Sequence, residues 1–205
     1  MSRLLVIDSS PMGENSISKR LTKSFTDAWI KKNPNGQVYR RDVAEMKLPH
    51  LDGQILGAFF TPAQDRTADQ QALVATSEEL IGELKAADTI AIGVPMHNFG
   101  IPSTLKTYID HVSRAGETFA YTENGPVGLI EDGKRVVVLA ARGGDYSESS
   151  PAASMDFTIP YLKTVFGFLG IGDFTAVEAN GLAMGEDLAA KAVEGAEQEI
   201  ERIAA

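Results

Sequence analysis

The sequence predicts a doubly wound α/β fold, and three observations carry that reading. Short Val- and Ile-rich runs recur along the chain, helical apolar stripes alternate with them, and loops rich in Ser, Pro and Gly follow the strongest runs. The order reads β-α-β-α-β-α-β-α-β-α, which calls for a parallel sheet with right-handed crossovers.

Four runs, Arg3–Asp8, Thr89–Val94, Arg135–Ala140 and Asp173–Val177, lack strict alternation and read as strands covered on both faces. The more polar Gln37–Asp42 suits an edge strand. Between the runs, Ile17, Leu21, Phe25, Ala28 and Trp29 share one helical face, and Asn33-Pro34-Asn35-Gly36 stops that helix. Leu73, Val74, Leu80, Ile81 and Leu84 form a second stripe. Pro102 is expected in the first turn of a helix through Leu105 and Ile109. Pro160 to Phe168 carries a fourth helix, stopped by Gly170 and Gly172. Leu188, Ala192, Ala196, Ile200 and Ile203 line the last one. Two insertions interrupt the alternation: Ala44–Ala68, punctuated by Pro and Gly, and Gly116–Gly133, which reads as a hairpin with an Asn124-Gly125 turn. With no repeat, low-complexity tract or linker, residues 1–205 read as one domain.

Composition narrows the function. There is no cysteine, which excludes disulfides, thiolate nucleophiles and Cys-ligated metal centres. Against 28 Asp and Glu stand 19 Lys and Arg, a net charge of −9, which disfavours binding to a nucleic-acid backbone. The N-terminus runs directly into Leu4-Leu5-Val6-Ile7-Asp8 without a signal pattern, and no apolar run approaches the ~20 residues of a membrane span. A cytoplasmic protein is expected.

Open α/β sheets bind ligands beyond the carboxyl ends of their strands. Three loops there are unusual. The first, Asp8 to Ser18, lacks both the dinucleotide glycine fingerprint and a Walker A pattern. It offers hydroxyls at Ser10, Ser16 and Ser18 beside a helix start, which suits one phosphate group and equally suits plain N-capping. The second, Pro95-Met96-His97-Asn98-Phe99-Gly100-Ile101-Pro102-Ser103, holds an aromatic and an amide on a path stiffened by prolines. It fits a planar ring, or a structural turn with Phe99 packed inward. The third, Ala141-Arg142-Gly143-Gly144-Asp145-Tyr146, lets a ligand approach the backbone, or is simply a flexible turn.

Together these motifs resemble the FMN-dependent NAD(P)H azoreductase and quinone reductase family. The likeness rests on Ser10-Pro11 with Ser16 and Ser18, Pro95-Met96 followed by Asn98 to Ser103 with Leu105-Lys106, and Arg142-Gly143-Gly144. It extends to Tyr121 through Pro126 with Gly128, and to Pro160-Tyr161-Leu162 with Phe166, Phe168 and Gly170. The resemblance implies a flavodoxin-like five-stranded parallel sheet of order 2-1-3-4-5, and a homodimer. It implies tightly bound FMN, with NADH or NADPH as co-substrate. It implies ping-pong hydride transfer to quinones and reductive cleavage of azo compounds to aromatic amines. By the same carry-over, Ser10, Ser16, Ile17 and Ser18 hold the phosphate. Met96, His97, Asn98 and Phe99 line the ring, and Ala141, Arg142, Gly143 and Gly144 border its polar edge. The chain departs from the common pattern at Met12, where Arg is frequent, at His97, where Tyr is frequent, and at Ala141, where Ser is frequent.

No side-chain nucleophile is needed, since the chemistry belongs to the cofactor. His97, Asn98 and Gly143 are expected as ring-side assistants, His97 by packing and a hydrogen bond, the other two through backbone N–H groups. Phe60 and Tyr121, both in insertions, are the substrate-pocket candidates, with Phe119 and Phe157 as further aromatic wall. Phe166 and Phe168 read as core. The histidines lack metal-site spacing, so no metal is expected, and His111 reads as structural. The competing reading is a flavodoxin-like electron carrier that works with protein partners. A phosphoacceptor receiver domain fails because no Asp follows the third strand.

Overall fold

A computed structural model describes residues 1–131 and 133–204. Asp132, inside the second insertion, and Ala205, at the end of the expected domain, lie outside the described residues. The strands are β1 (Arg3–Asp8), β2 (Gln37–Asp42), β3 (Thr89–Pro95), β4 (Phe119–Thr122), β5 (Gly125–Gly128), β6 (Arg135–Ala141) and β7 (Asp173–Ala179). The α-helices are α1 (Ile17–Lys32), α2 (Gly53–Phe60), α3 (Ala68–Ala86), α4 (Ser103–Val112), α5 (Ile159–Phe168) and α6 (Glu186–Ile203).

Five strands form a parallel sheet in the order β2-β1-β3-β6-β7, and β4 pairs with β5 in a separate antiparallel hairpin. The hairpin strands occupy two places in chain order, which is why the last two sheet strands are β6 and β7. Period-two alternation sends each strand's side chains to opposite faces. Leu4, Val6, Ala91, Val137 and Leu139 pack under α1 and α6 with Leu21, Phe25, Trp29 and Ile200. Leu5, Ile7, Ile90, Ile92, Val136 and Val138 pack on the other face against Leu80, Leu84, Tyr108, Ile109 and Phe166. β1, β3 and β6 are therefore buried on both sides, as their unbroken apolar runs require.

Several expectations need correction. Asp173–Val177 was expected to be covered on both faces, but β7 is an edge strand, with Phe174, Thr175 and Ala176 only half-buried. The Ala44–Ala68 insertion contains a helix, α2, whose Asp52 cap accepts from the N–H groups of Gln54 and Ile55, and which buries Ile55 and Ala58. Pro102 precedes α4 as its cap with an extended ψ of 143°, instead of sitting inside its first turn. Leu188 faces solvent at 50% exposure, and Phe168 at 36% is not core. The hairpin turns at Glu123-Asn124, while Gly125, at φ 105°, pairs with Thr122. The Thr122 hydroxyl ties that turn, donating to the Gly125 carbonyl and accepting from the Asn124 N–H.

Close packing at two glycines places the site. At Gly93 on β3 a Cβ would stand 2.8 Å from Thr22 Cγ2 and 3.1 Å from the Ser18 carbonyl, so only glycine lets the start of α1 settle onto the sheet. At Gly128 a Cβ would meet the Gly170 nitrogen at 2.2 Å, which fixes the hairpin against the end of α5.

Candidate active site

Register brings the three unusual loops together. Asp8 stands beside Gly93, and Pro95 beside Ala141, so the carboxyl ends of β1, β3 and β6 are neighbours. This is the sheet edge where doubly wound folds bind their ligands.

The loop after β1 is tied at its root to β3, and from Ser10 onward it is built from short-range hydrogen bonds. Ser9 donates its hydroxyl to the Gly93 carbonyl at 2.7 Å, anchoring the loop to β3. Ser10, buried, accepts from the Met12 N–H, and the Ser16 N–H donates to the Gly13 carbonyl. Ser16 caps α1 by accepting from the Lys19 N–H at 3.2 Å, and its hydroxyl lies 3.1 Å from that of Ser18. The N–H groups of Ile17 and Ser18 have no acceptor among the described residues, as the first turn of a helix dictates. Two free backbone donors beside buried hydroxyls at the positive end of a helix dipole are a donor set matched to a phosphate. The cations nearby are all engaged: Lys19 with Asp42, Arg20 with Glu197, Arg40 with Asp8. Met12 is exposed and contributes no charge.

Beneath this loop lies Asp8, which the motif reading did not single out. It shares a cleft of about 1020 Å³ with Ser16, Lys19, Arg40 and Asp42. Burial pushes its carboxyl up from its ordinary value, against the Thr22 hydroxyl bonded to it at 2.7 Å and the Arg40 guanidinium at 3.3 Å. The signal for it was in the sequence, a carboxylate ending an otherwise apolar strand.

The loop after β3 closes on itself. His97 and Gly100 exchange both backbone hydrogen bonds at 2.9 and 3.0 Å, leaving Asn98 and Phe99 at the tip with φ of 48° and 71°. Consecutive left-handed residues make the tight turn of a two-residue hairpin. The Met96 N–H donates to the Ala141 carbonyl, and the Phe157 N–H to that of Phe99, both at 2.9 Å. Phe99 is 40% exposed, so the inward-packed alternative is excluded, and the Tyr146 ring meets it edge-on at 6.4 Å. His97 and Asn98 are exposed beside it.

In the loop after β6, the carbonyls of Arg142, Gly143 and Gly144 accept from Leu182, Ala183 and Gly181. The N–H groups of Gly143 and Gly144 have no acceptor among the described residues. A Cβ on Gly143 would meet only that of Ala183, at 3.5 Å, so its open side accepts a close neighbour. The Arg142 guanidinium turns inward, fully buried among Asp156, Glu178 and Asn180, and its backbone N–H donates to the Ala179 carbonyl, so Arg142 offers no free donor at the sheet edge. Ala141 is buried and offers no hydroxyl.

Phe60 ends α2 at 78% exposure, whereas its neighbour Phe59 packs edge-on against His111 and under the Arg114 guanidinium at 4.5 Å. Tyr121 is 75% exposed on the hairpin, over Phe119, which in turn contacts Phe168 at 4.7 Å. No contact joins Phe60 to Tyr121 among the described residues. His111 is buried, its Nε2 2.8 Å from the Pro49 carbonyl, and so holds the first insertion onto α4. Beside the ring-side turn lies an apolar cavity of about 470 Å³ walled by Ile101, Phe157, Pro160 and Tyr161, which the sequence reading did not mark as a pocket.

The model of the flavodoxin-like fold family matches residues 2–204. The chain is 51% identical over 197 residues to an FMN-dependent NADH:quinone oxidoreductase of Alcanivorax borkumensis, covering 96% of this chain and 97% of that one. The chain belongs to this family. An FMN-dependent NADH:quinone oxidoreductase of a Marinomonas species is 50% identical over 186 residues, 91% of each chain. Among solved structures, an FMN-dependent NADH-azoreductase from Bacillus anthracis in complex with FMN superposes with a TM-score of 0.90 at 32% identity, covering 100% of this chain and 98% of that one. The family's fold thus runs through the whole described length, with the serine loop, the left-handed turn and the paired glycines on adjacent strand ends.

Proposed function

We propose that this protein is an FMN-dependent oxidoreductase that takes reducing equivalents from NADH and delivers them to quinones. By the same site it cleaves azo compounds to aromatic amines, the two substrates taking turns in a ping-pong cycle. The carrying observation is the convergence of three donor-bearing loops at the ends of β1, β3 and β6. Identity of 50–51% to the quinone reductases supports it.

When bound, FMN supplies the two-electron redox chemistry. The Ile17 and Ser18 N–H groups with the Ser10 and Ser16 hydroxyls hold its phosphate. Their set is neutral, so binding strength comes from hydrogen bonds and the helix dipole more than from ion pairing. The turn at His97–Gly100 with Met96 would orient the ring, and Phe99 against Tyr146 would shield one side of it from water. The N–H groups of Gly143 and Gly144, which have no acceptor among the described residues, would donate to the polar edge of the bound flavin and favour negative charge there. Phe60 and Tyr121 stay candidates for the acceptor's apolar wall. The chain acts as one FMN-binding domain, in a cytoplasmic homodimer; exposed Tyr121 and Phe157 support pairing of apolar surfaces. Among the described residues no helix is long and apolar enough to cross a membrane.

The test is an FMN titration of the full chain followed by anaerobic NADH and then menadione. Flavin absorbance that bleaches with NADH and returns with the quinone supports the reading. Bound flavin that ignores NADH points instead to an electron carrier.

A further inference from the structure

Asn98 and Phe99 adopt left-handed backbone that side-chain-bearing residues rarely take in succession. Such a turn persists only where its surroundings over-determine it. Part of that constraint is internal, through the paired bonds of His97 and Gly100. The rest arrives from far along the chain. The Phe99 carbonyl accepts from the Phe157 N–H, and Phe157 sits between Asp156 and Thr158, which are themselves locked: Asp156 Oδ1 accepts from the Thr158 N–H at 2.7 Å. The other carboxylate oxygen, Oδ2, accepts from Arg142 Nη2 at 2.8 Å. Arg142 Nη1 donates to Glu178 Oε2 at 2.5 Å and to Asn180 Oδ1 at 3.2 Å, which ties the assembly to β7 and its exit.

We propose that Arg142 is a positioning residue: its buried guanidinium, forked between Asp156 and Glu178, holds Phe157 against Phe99 and thereby sets the ring-side turn. The chemistry fits that task. The planar guanidinium addresses two carboxylates at fixed angles, which an ammonium cannot do as well. Buried ion pairs add little net stability compared with apolar packing, so what the guanidinium supplies here is geometry. Its side chain is wholly buried while Phe157, the residue next to its Asp156 partner, presents a 63% exposed ring at the apolar cavity. The role rests on the flavin reading for its consequence, but not for the clamp itself.

The experiment compares Arg142→Met, Arg142→Lys and Asp156→Asn in the full-length protein. Asp156→Asn keeps an oxygen for the Thr158 N–H and removes the charge facing Arg142, so it serves if Arg142→Met does not fold. Amide exchange is read at Phe157 and residues 97–100 without FMN, together with the thermal midpoint. FMN affinity is read from quenching of flavin fluorescence. Exchange at Phe157 and the turn is expected to quicken selectively, with FMN bound about tenfold more weakly, equivalent to roughly 1.4 kcal/mol. Arg142→Lys is expected to recover part of both. Asp156→Asn with unchanged exchange and unchanged affinity overturns the proposal, as does exchange at Phe157 and residues 97–100 that quickens no more than exchange across the sheet. A wild-type chain that takes no FMN overturns the functional reading alone, since the exchange arm still decides the clamp.

Discussion

The loop after β1 and the turn after β3 face the same sheet edge but are held in opposite ways. Between Ser10 and Lys19 nearly every hydrogen bond closes within three residues: Met12 to Ser10, Ser16 to Gly13, Lys19 to Ser16. The turn at Asn98-Phe99 is held from Ala141, 45 residues from Met96 in sequence number, and from Phe157, backed by Arg142, Asp156 and Glu178. A locally built loop tolerates change elsewhere in the molecule. One built at long range fails when any member of its chain of contacts is lost.

The strongest way to break that contrast is Arg142→Met. Leaving Asp156 and Glu178 without their buried partner is expected to cost about 3–5 kcal/mol, read as a urea midpoint, and to disturb the turn while Ser16's cap survives. Next comes Gly93→Ala. Its Cβ would crowd Thr22 and the Ser18 carbonyl, so overpacking of roughly 1–3 kcal/mol is expected, with the start of α1 displaced and flavin phosphate held more weakly. Equal FMN affinity in that variant would show that the serine loop does not depend on how α1 seats. Ser16→Ala removes the cap on the Lys19 N–H and is expected to cost about 1 kcal/mol, leaving exchange at residues 97–100 unmoved.

The smallest effect is electrostatic. Burial raises the Asp8 carboxyl in the folded chain above its unfolded value, so its contribution is favourable below the unfolded value and is lost as pH rises through the folded one. Asp8→Asn is therefore expected to gain on the wild type as pH climbs from about 4 toward neutrality. Parallel stability profiles over that range would contradict it.

The same contrast explains what was readable in the sequence. Unbroken runs such as Leu4-Val6 and Val136-Val138 declare central strands, because burial on both faces demands apolar residues at every position. Asp173–Val177 misled, since composition alone does not say which strand ends the sheet. Ser16 as a helix cap was legible, as were the loop's hydroxyls, because their partners lie within a few residues. The hairpin was legible but not its turn, since Gly125 serves one position later than Asn124-Gly125 suggests. Helix α2 was hidden by flanking Pro and Gly, although Asp52 before Gln54 and Ile55 is a cap pattern. Arg142 was found, but its side chain's direction was not. Nothing near it in sequence announces Glu178, and tertiary packing decides whether an arginine in a loop faces ligand or core.

The most direct measurement of the central claim is FMN binding to Gly143→Val beside the wild type, each checked by its thermal midpoint. The Cβ it adds meets only Ala183 inside the protein, at 3.5 Å, so the midpoint is expected to hold while FMN affinity falls at least tenfold, about 1.4 kcal/mol. NADH-dependent quinone reduction is expected to fall with it. A variant that binds FMN as tightly as the wild type and turns over equally well would contradict the assignment of this sheet edge as the flavin site.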